Sequence, residues 1–209
     1  MHLLHTDDAW IKHKLDFNFS KFGPWVAGGA ALQWYRNRPT HDDIDLFFRN
    51  KEQFEIFSMD LEKKLRGRPP VNPTDITFLE PPYDYPFDKH ETDNAITYEI
   101  RESITGNELG KIQLIKRKFY DNPLECIADF DISVSQIATD GNRYWFGEHT
   151  LADIAAKQFR FTKNLSSSSA RRFVKYHAYG FTAVDSAFDE LFSSDRVDWV
   201  RSNITDDYA

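Results

Sequence analysis

The chain has 209 residues, 41% hydrophobic, 15% aromatic and 28% charged, enough apolar material to bury a core in one large domain. Its formal net charge of −7 argues against a protein that coats long nucleic acid with a basic surface, so such a partner would have to be met by a local patch. No apolar run approaches the roughly 20 residues of a membrane span. The first residues show no signal peptide, and the lone Cys126 excludes an intramolecular disulfide. The expected home is the reducing cytoplasm, away from membranes.

In chain order, a first helix is expected after Thr6, with Asp7 and Asp8 in its first turn. Gly23-Pro24 punctuates, a new segment starts at Trp25, and residues 29–36 read as helix. Arg38-Pro39-Thr40 is a turn, and Asp43-Ile-Asp-Leu-Phe-Phe48 is a strand. Lys51 to Leu65 is helical, with Phe54, Phe57, Leu61 and Leu65 at helical spacing. A Pro-rich stretch from Pro69 to Pro86 holds a short strand around Ile76 to Leu79. Ala95 to Ile100 and Lys111 to Phe119 pair antiparallel through Thr105-Gly106-Asn107.

Pro123 to Ala128 is a short helix, and Asp129 to Gln136 alternates strictly as a strand. Asp140-Gly141-Asn142 turns a hairpin into Arg143 to Phe146. Ser166 to Ser169 is a loop and cap, among helices over roughly 150–160, 168–179 and 184–200. Strands therefore concentrate before residue 147 and helices after it. This predicts an α/β (α+β) chain: residues 1–147 as a mixed-sheet core, and residues 148–209 as a helical part packed on it.

The sharpest chemical feature is Gly28-Gly29 followed, thirteen residues on, by Asp43-Ile44-Asp45. Strand side chains alternate, so the two carboxylates share a face with Cα atoms about 7 Å apart, while Ile44, Leu46 and Phe48 point to the other. Two acids this close repel unless a cation lies between them. Magnesium takes one or two carboxylates plus substrate phosphates. In Asp129-Phe-Asp131-Ile-Ser-Val-Ser135 the odd positions are polar. An adjacent strand could present Asp131 beside the pair, with Asp129 as the nearer rival on the same face. Three carboxylates can hold two ions for phosphoryl transfer. Gly28 and Gly29, at a helix start, would let backbone N–H groups approach a phosphate.

These residues resemble the signature of the DNA polymerase β-type nucleotidyltransferase superfamily, which includes CCA-adding enzymes and poly(A) polymerases. The Asp43 to Phe48 strand and Phe130-Asp131-Ile-Ser-Val-Ser-Gln-Ile-Ala138 are also similar to short phage-encoded nucleotidyltransferase-like proteins. The resemblance implies a mixed sheet flanked by helices, with Mg2+ (two ions) or Mn2+ as cofactor. It implies transfer of a nucleoside monophosphate from a nucleoside triphosphate such as ATP to an acceptor hydroxyl, with release of pyrophosphate. Asp43, Asp45 and Asp131 would be the metal-binding catalytic acids. The acceptor could be an RNA 3′ end, a protein or a small molecule. CCA-adding enzymes usually carry an Arg-Asp pair soon after the glycines; here the residues are Ala30-Ala31-Leu32-Gln33. That departure leaves a second reading, a non-catalytic nucleotide- or protein-binding module on the same fold.

The helix opening at Ser168 places Arg171 with Lys175, and Arg172 with Tyr176, four residues apart on shared faces. Such a face could clamp a triphosphate and offer Tyr176 as a stacking surface for the base; equally, it could be a solvated stripe over a core contact. Arg36 and Arg38 could also reach phosphate. Lys116, Arg117 and Lys118 read as a solvated strand edge, and Cys126 as core.

Overall fold

The structure, a computed structural model, describes residues 23–38, 43–66, 86–101, 108–163 and 168–184. A short buried strand β1 (Trp25–Ala27) leads into α1 (Gly29–Tyr35), then β2 (Ile44–Phe47) and the long helix α2 (Lys51–Leu65). Strands β3 (Phe87–Glu91), β4 (Ala95–Arg101) and β5 (Glu108–Ile115) follow. After α3 (Pro123–Ala128) comes a single 3-10 turn (Ser133–Ser135), then the hairpin β6 (Ile137–Thr139) and β7 (Tyr144–Phe146). The described chain closes with α4 (Thr150–Ala156), β8 (Gln158–Phe159), α5 (Ser169–Ala178) and β9 (Thr182–Ala183).

Seven strands form one sheet in the order β3-β4-β5-β2-β1-β6-β7. Only β2 and β5 run parallel; every other neighbouring pair is antiparallel. The chain is thus the mixed α+β sheet with flanking helices that the sequence predicts. β8 and β9 add a small parallel pair that the sequence does not announce.

Alternation sets the two faces of the sheet. Val26, Ile44, Leu46, Ile96, Tyr98, Ile100, Ile112 and Leu114 join the main core with Leu32 of α1 and Phe54, Leu61 and Leu65 of α2. On the other face Trp25, Ala27, Phe47 and Ala138 pack with Tyr120 and with Cys126 and Ile127 of α3. Two helices start where the sequence says they must. Asn50 Oδ1 accepts the Gln53 N–H at 2.8 Å to cap α2, and Asn122 Oδ1 accepts the Glu125 N–H at 3.0 Å ahead of Pro123.

Several expectations need correction. Residues 129–136 are not a strand: Ile132 makes one bridge to Phe161, and residues 133–135 form the 3-10 turn. The helix expected over 150–160 ends at Ala156, because Lys157 takes a left-handed conformation (φ 54°) and the chain turns into β8. The strand expected over 111–119 is shifted to Glu108–Ile115. The expected first helix, the strand near Ile76, the Thr105-Gly106-Asn107 turn, Pro39-Thr40 and residues 185–200 lie outside the described residues. Among the described residues no helix is long and apolar enough to cross a membrane.

One ion pair secures the chain after the hairpin. Asp153 of α4 has no exposed side-chain surface, and Arg160 grips both its oxygens, Nε to Oδ2 at 2.9 Å and Nη2 to Oδ1 at 2.8 Å. Burial works to raise the pKa of this carboxyl, but hydrogen bonds from Arg160, Ser133 and Gln158 outweigh it and hold the group below its ordinary value.

Candidate functional site

Asp45 lies within β2 on the face opposite Ile44 and Leu46, and Asp43 immediately precedes the strand. Asp43 is exposed and Asp45 half-buried. Antiparallel pairing of Val26 with Leu46 brings the end of β1, and with it the Gly28-Gly29 turn, beside the Asp43 end of β2. On the other side, parallel pairing sets Gln113 of β5 against Asp45. Gln113 Nε2 donates to Thr97 Oγ1 at 3.0 Å, and Lys111 Nζ lies 2.9 Å from Glu99 Oε1. Lys111 is held above its ordinary pKa, first by that bond to Glu99 and, with a smaller effect, by the charge of Asp43. The strand next to the acidic pair therefore offers an amide and an ammonium group to their face.

Asp131 is not carried by a strand that neighbours β2. The neighbours of β2 are β1 and β5, and the chain after α3 turns through the Ile132–Phe161 bridge instead of running alongside β2. Asp131 is buried, accepting from Arg172 Nη1 at 2.6 Å and Ser169 Oγ at 3.2 Å. Among the described residues no group of three or more His, Cys, Asp or Glu side chains is placed to hold a metal ion.

Its rival Asp129 is also engaged. Lys118 Nζ donates to Oδ2 at 2.6 Å, Tyr120 Oη to the same oxygen at 3.1 Å, and Lys163 Nζ to Oδ1 at 3.1 Å. Lys118 foremost, with Lys163 and Tyr120 behind it, drives the carboxyl down to about 2. Between the two acids, Phe130 packs on Phe47 at 5.6 Å between ring centroids and faces Gly28.

Gly28 has φ +78° and ψ −138°, a conformation that side chains resist, and its N–H donates to Ile137 O at 3.0 Å. That N–H serves the fold and is not offered to a phosphate. A Cβ at Gly28 would meet Phe130 at 3.5 Å, an ordinary contact, so the cost of Gly28→Ala is backbone strain. Thermal or urea denaturation should show a loss of about 1–3 kcal/mol.

The basic helix is divided in its roles. Arg172 is committed to Asp131, and Tyr176 is 3% exposed and packs against Phe159 in the core. The expected stacking surface for a base is thus a core contact, because Tyr176 and Arg172 share the inward face. Arg171 is exposed and Lys175 half-buried, its Nζ 5.9 Å from the Tyr179 ring centroid. Arg38 is exposed. Arg36 instead donates to Tyr179 O at 3.2 Å and covers the Phe181 ring at 4.6 Å, tying α1 to the end of α5.

A protein-family profile for Gabija anti-defense 2 (Gad2) matches residues 4–157. The chain belongs to the Gad2 family. No curated protein sequence matches it. Among solved structures it is similar to the apo form I of a CCA-adding enzyme, with TM-score 0.46 and 12% identity over 80% of this chain and 37% of that chain. It therefore spans little more than a third of that enzyme's length.

The Gad2 match takes in Gly28, Gly29, Asp43, Asp45, Asp129 and Asp131, while Lys163, Arg171 and Arg172 follow its end. Cys126 lies within it and is fully buried. Burial foremost, then the charges of Asp129 and Glu125, pushes its thiol well above the ordinary range. A thiol reagent such as Ellman's should leave the folded protein unlabelled and report one thiol only on denaturation.

Proposed function

We propose that this Gad2 family member is a metal-dependent nucleotidyltransferase that moves a nucleoside monophosphate from a nucleoside triphosphate to an acceptor hydroxyl and releases pyrophosphate. The supporting observation is Asp45 on β2, with Asp43 immediately before that strand, beside the Gly28-Gly29 turn and next to the parallel strand β5. Two hard carboxylates fit Mg2+, or Mn2+, which fills its remaining positions from phosphates and water. When bound, such an ion neutralises phosphate charge and lowers the pKa of an acceptor hydroxyl. Asp43 and Asp45 hold and orient the reacting groups. Phe130, against Phe47 and Gly28, keeps the floor of the site dry. Arg38, Arg171 and Lys175 are the cations proposed to meet the phosphates. The family name links these proteins to Gabija anti-defense, so the proposed acceptor is a component of that defence, protein or nucleic acid.

The test is incubation with α-labelled nucleoside triphosphates, Mg2+ and extracts containing Gabija components. Expected are pyrophosphate release and a mass increase of one nucleoside monophosphate on the acceptor. Undiminished labelling by Asp43→Asn/Asp45→Asn would reject the assignment.

A second reading, a non-catalytic binding module, draws on the Arg172–Asp131 ion pair and on Lys111 and Gln113 beside the acids. It predicts that the double variant keeps its anti-defense effect and that no acceptor supports pyrophosphate release.

A further inference from the structure

The cluster around Asp129 joins the core residue Tyr120 to three side chains that are open to solvent. The side chains of Lys118, Lys163 and Asp129 are 49%, 42% and 38% exposed, and ion pairs this open contribute little to stability. Yet their geometry is ordered. Two ammonium groups and a phenol converge on the two oxygens of one carboxylate, a donor set that suits a phosphate at least as well.

The cluster also borders the acidic pair. The Tyr120 ring lies 6.1 Å from that of Phe47, which shares the face of Asp45 two residues along β2. Phe130, adjacent to Asp129, faces Gly28. Lys163 is set in place by its neighbour Thr162, whose N–H donates to Asp131 O at 2.8 Å and whose hydroxyl donates to Phe130 O at 3.0 Å.

We propose that Lys118, Lys163 and the Tyr120 hydroxyl form a grip for the phosphate chain of the substrate, in which Asp129 is an internal stand-in that gives way to the incoming anion. This rests on the transferase reading above for the identity of the substrate as a nucleoside triphosphate. It assigns Asp129 a role opposite to that of a metal-binding acid: it competes with the substrate. The solvated lysine stems can follow a larger anion, and the exposed carboxylate can rotate out into water without being stranded.

The sign of one substitution tests the idea. Inorganic tripolyphosphate is titrated into the full chain without divalent metal, at low ionic strength, and followed by calorimetry. Asp129→Asn, which removes the competing charge, should bind severalfold more tightly than the unmodified protein. Lys118→Gln/Lys163→Gln should bind at least roughly tenfold more weakly, and Lys118→Arg/Lys163→Arg should restore most of the affinity. Near-UV circular dichroism checks that each variant is folded.

Weaker binding by Asp129→Asn, unchanged binding by the Gln pair, or no binding by the unmodified protein would each overturn the proposal. Binding that obeys these signs in a protein that transfers nothing would sink the transferase reading alone. Full transfer at low triphosphate concentration by the Gln pair would sink only the grip.

Discussion

Asp45→Asn is expected to lower nucleotide transfer at least about 100-fold, equivalent to roughly 2.7 kcal/mol of transition-state stabilisation. The amide has the same shape but carries no charge, so it loses the hard anionic oxygen that a divalent ion requires. Groups that merely support metal ligands already cost 10- to 100-fold when altered, and on the proposed transferase reading Asp45 is a direct ligand, whose loss should cost more. Asp45 is half-buried and Asp43 exposed, so Asp45 works in the less solvated setting and its loss should be the more severe of the two. Neither substitution should harm the fold. Removing one of two like charges on one strand face relieves repulsion in the metal-free protein, so the melting temperature should hold or rise. Steady-state assays across a Mg2+ series, with melting curves on the same preparations, check both halves.

Asp153→Ala is expected to be the most damaging single change to stability, about 3 kcal/mol. Arg160 would lose both bonds to a carboxylate with no exposed surface, and α4 would lose its attachment to the chain leading into β8. For a chain of this size the loss should appear as a melting temperature lower by about 6–12 °C. The pH dependence has a definite sign. The folded carboxyl titrates below its ordinary value. Its contribution is therefore fully present above the unfolded value of about 3.9, and falls away as pH drops through the lowered folded value. The gap between the variant and the unmodified protein should be constant near neutrality and close in acid.

What the sequence disclosed follows from how local each signal is. Lys51–Leu65 and Pro123–Ala128 were readable to the residue, because Asn50 and Asn122 cap them through bonds three residues long. The strand carrying Asp45 between the buried Ile44 and Leu46 followed from alternation alone. Residues 129–136 misled because alternation is only a pattern of burial. Ile132 and Val134 are buried, but so are Ser133 and Ser135: Ser135 Oγ bonds to Ile132 O at 2.7 Å and Ser133 N–H to Arg160 O at 3.0 Å, which folds the segment into a turn. Tyr176 misled for a related reason: helical spacing gives a shared face and not its direction. The ion pair of Asp131 with Arg172, and the three donors on Asp129, join residues far apart in the chain, and no local pattern encodes them.

The strand order carries a lesson for biogenesis. The interior strand β1 emerges among the first described elements, yet one of its edges is completed only when Thr139 pairs with Val26. Likewise β2 waits for Ile112 before its parallel partner exists. Contacts this distant in sequence slow folding and keep hydrophobic strand edges uncovered while synthesis proceeds. A nascent chain halted before β6 would hold Trp25 and Val26 with one flank open, a natural target for chaperones.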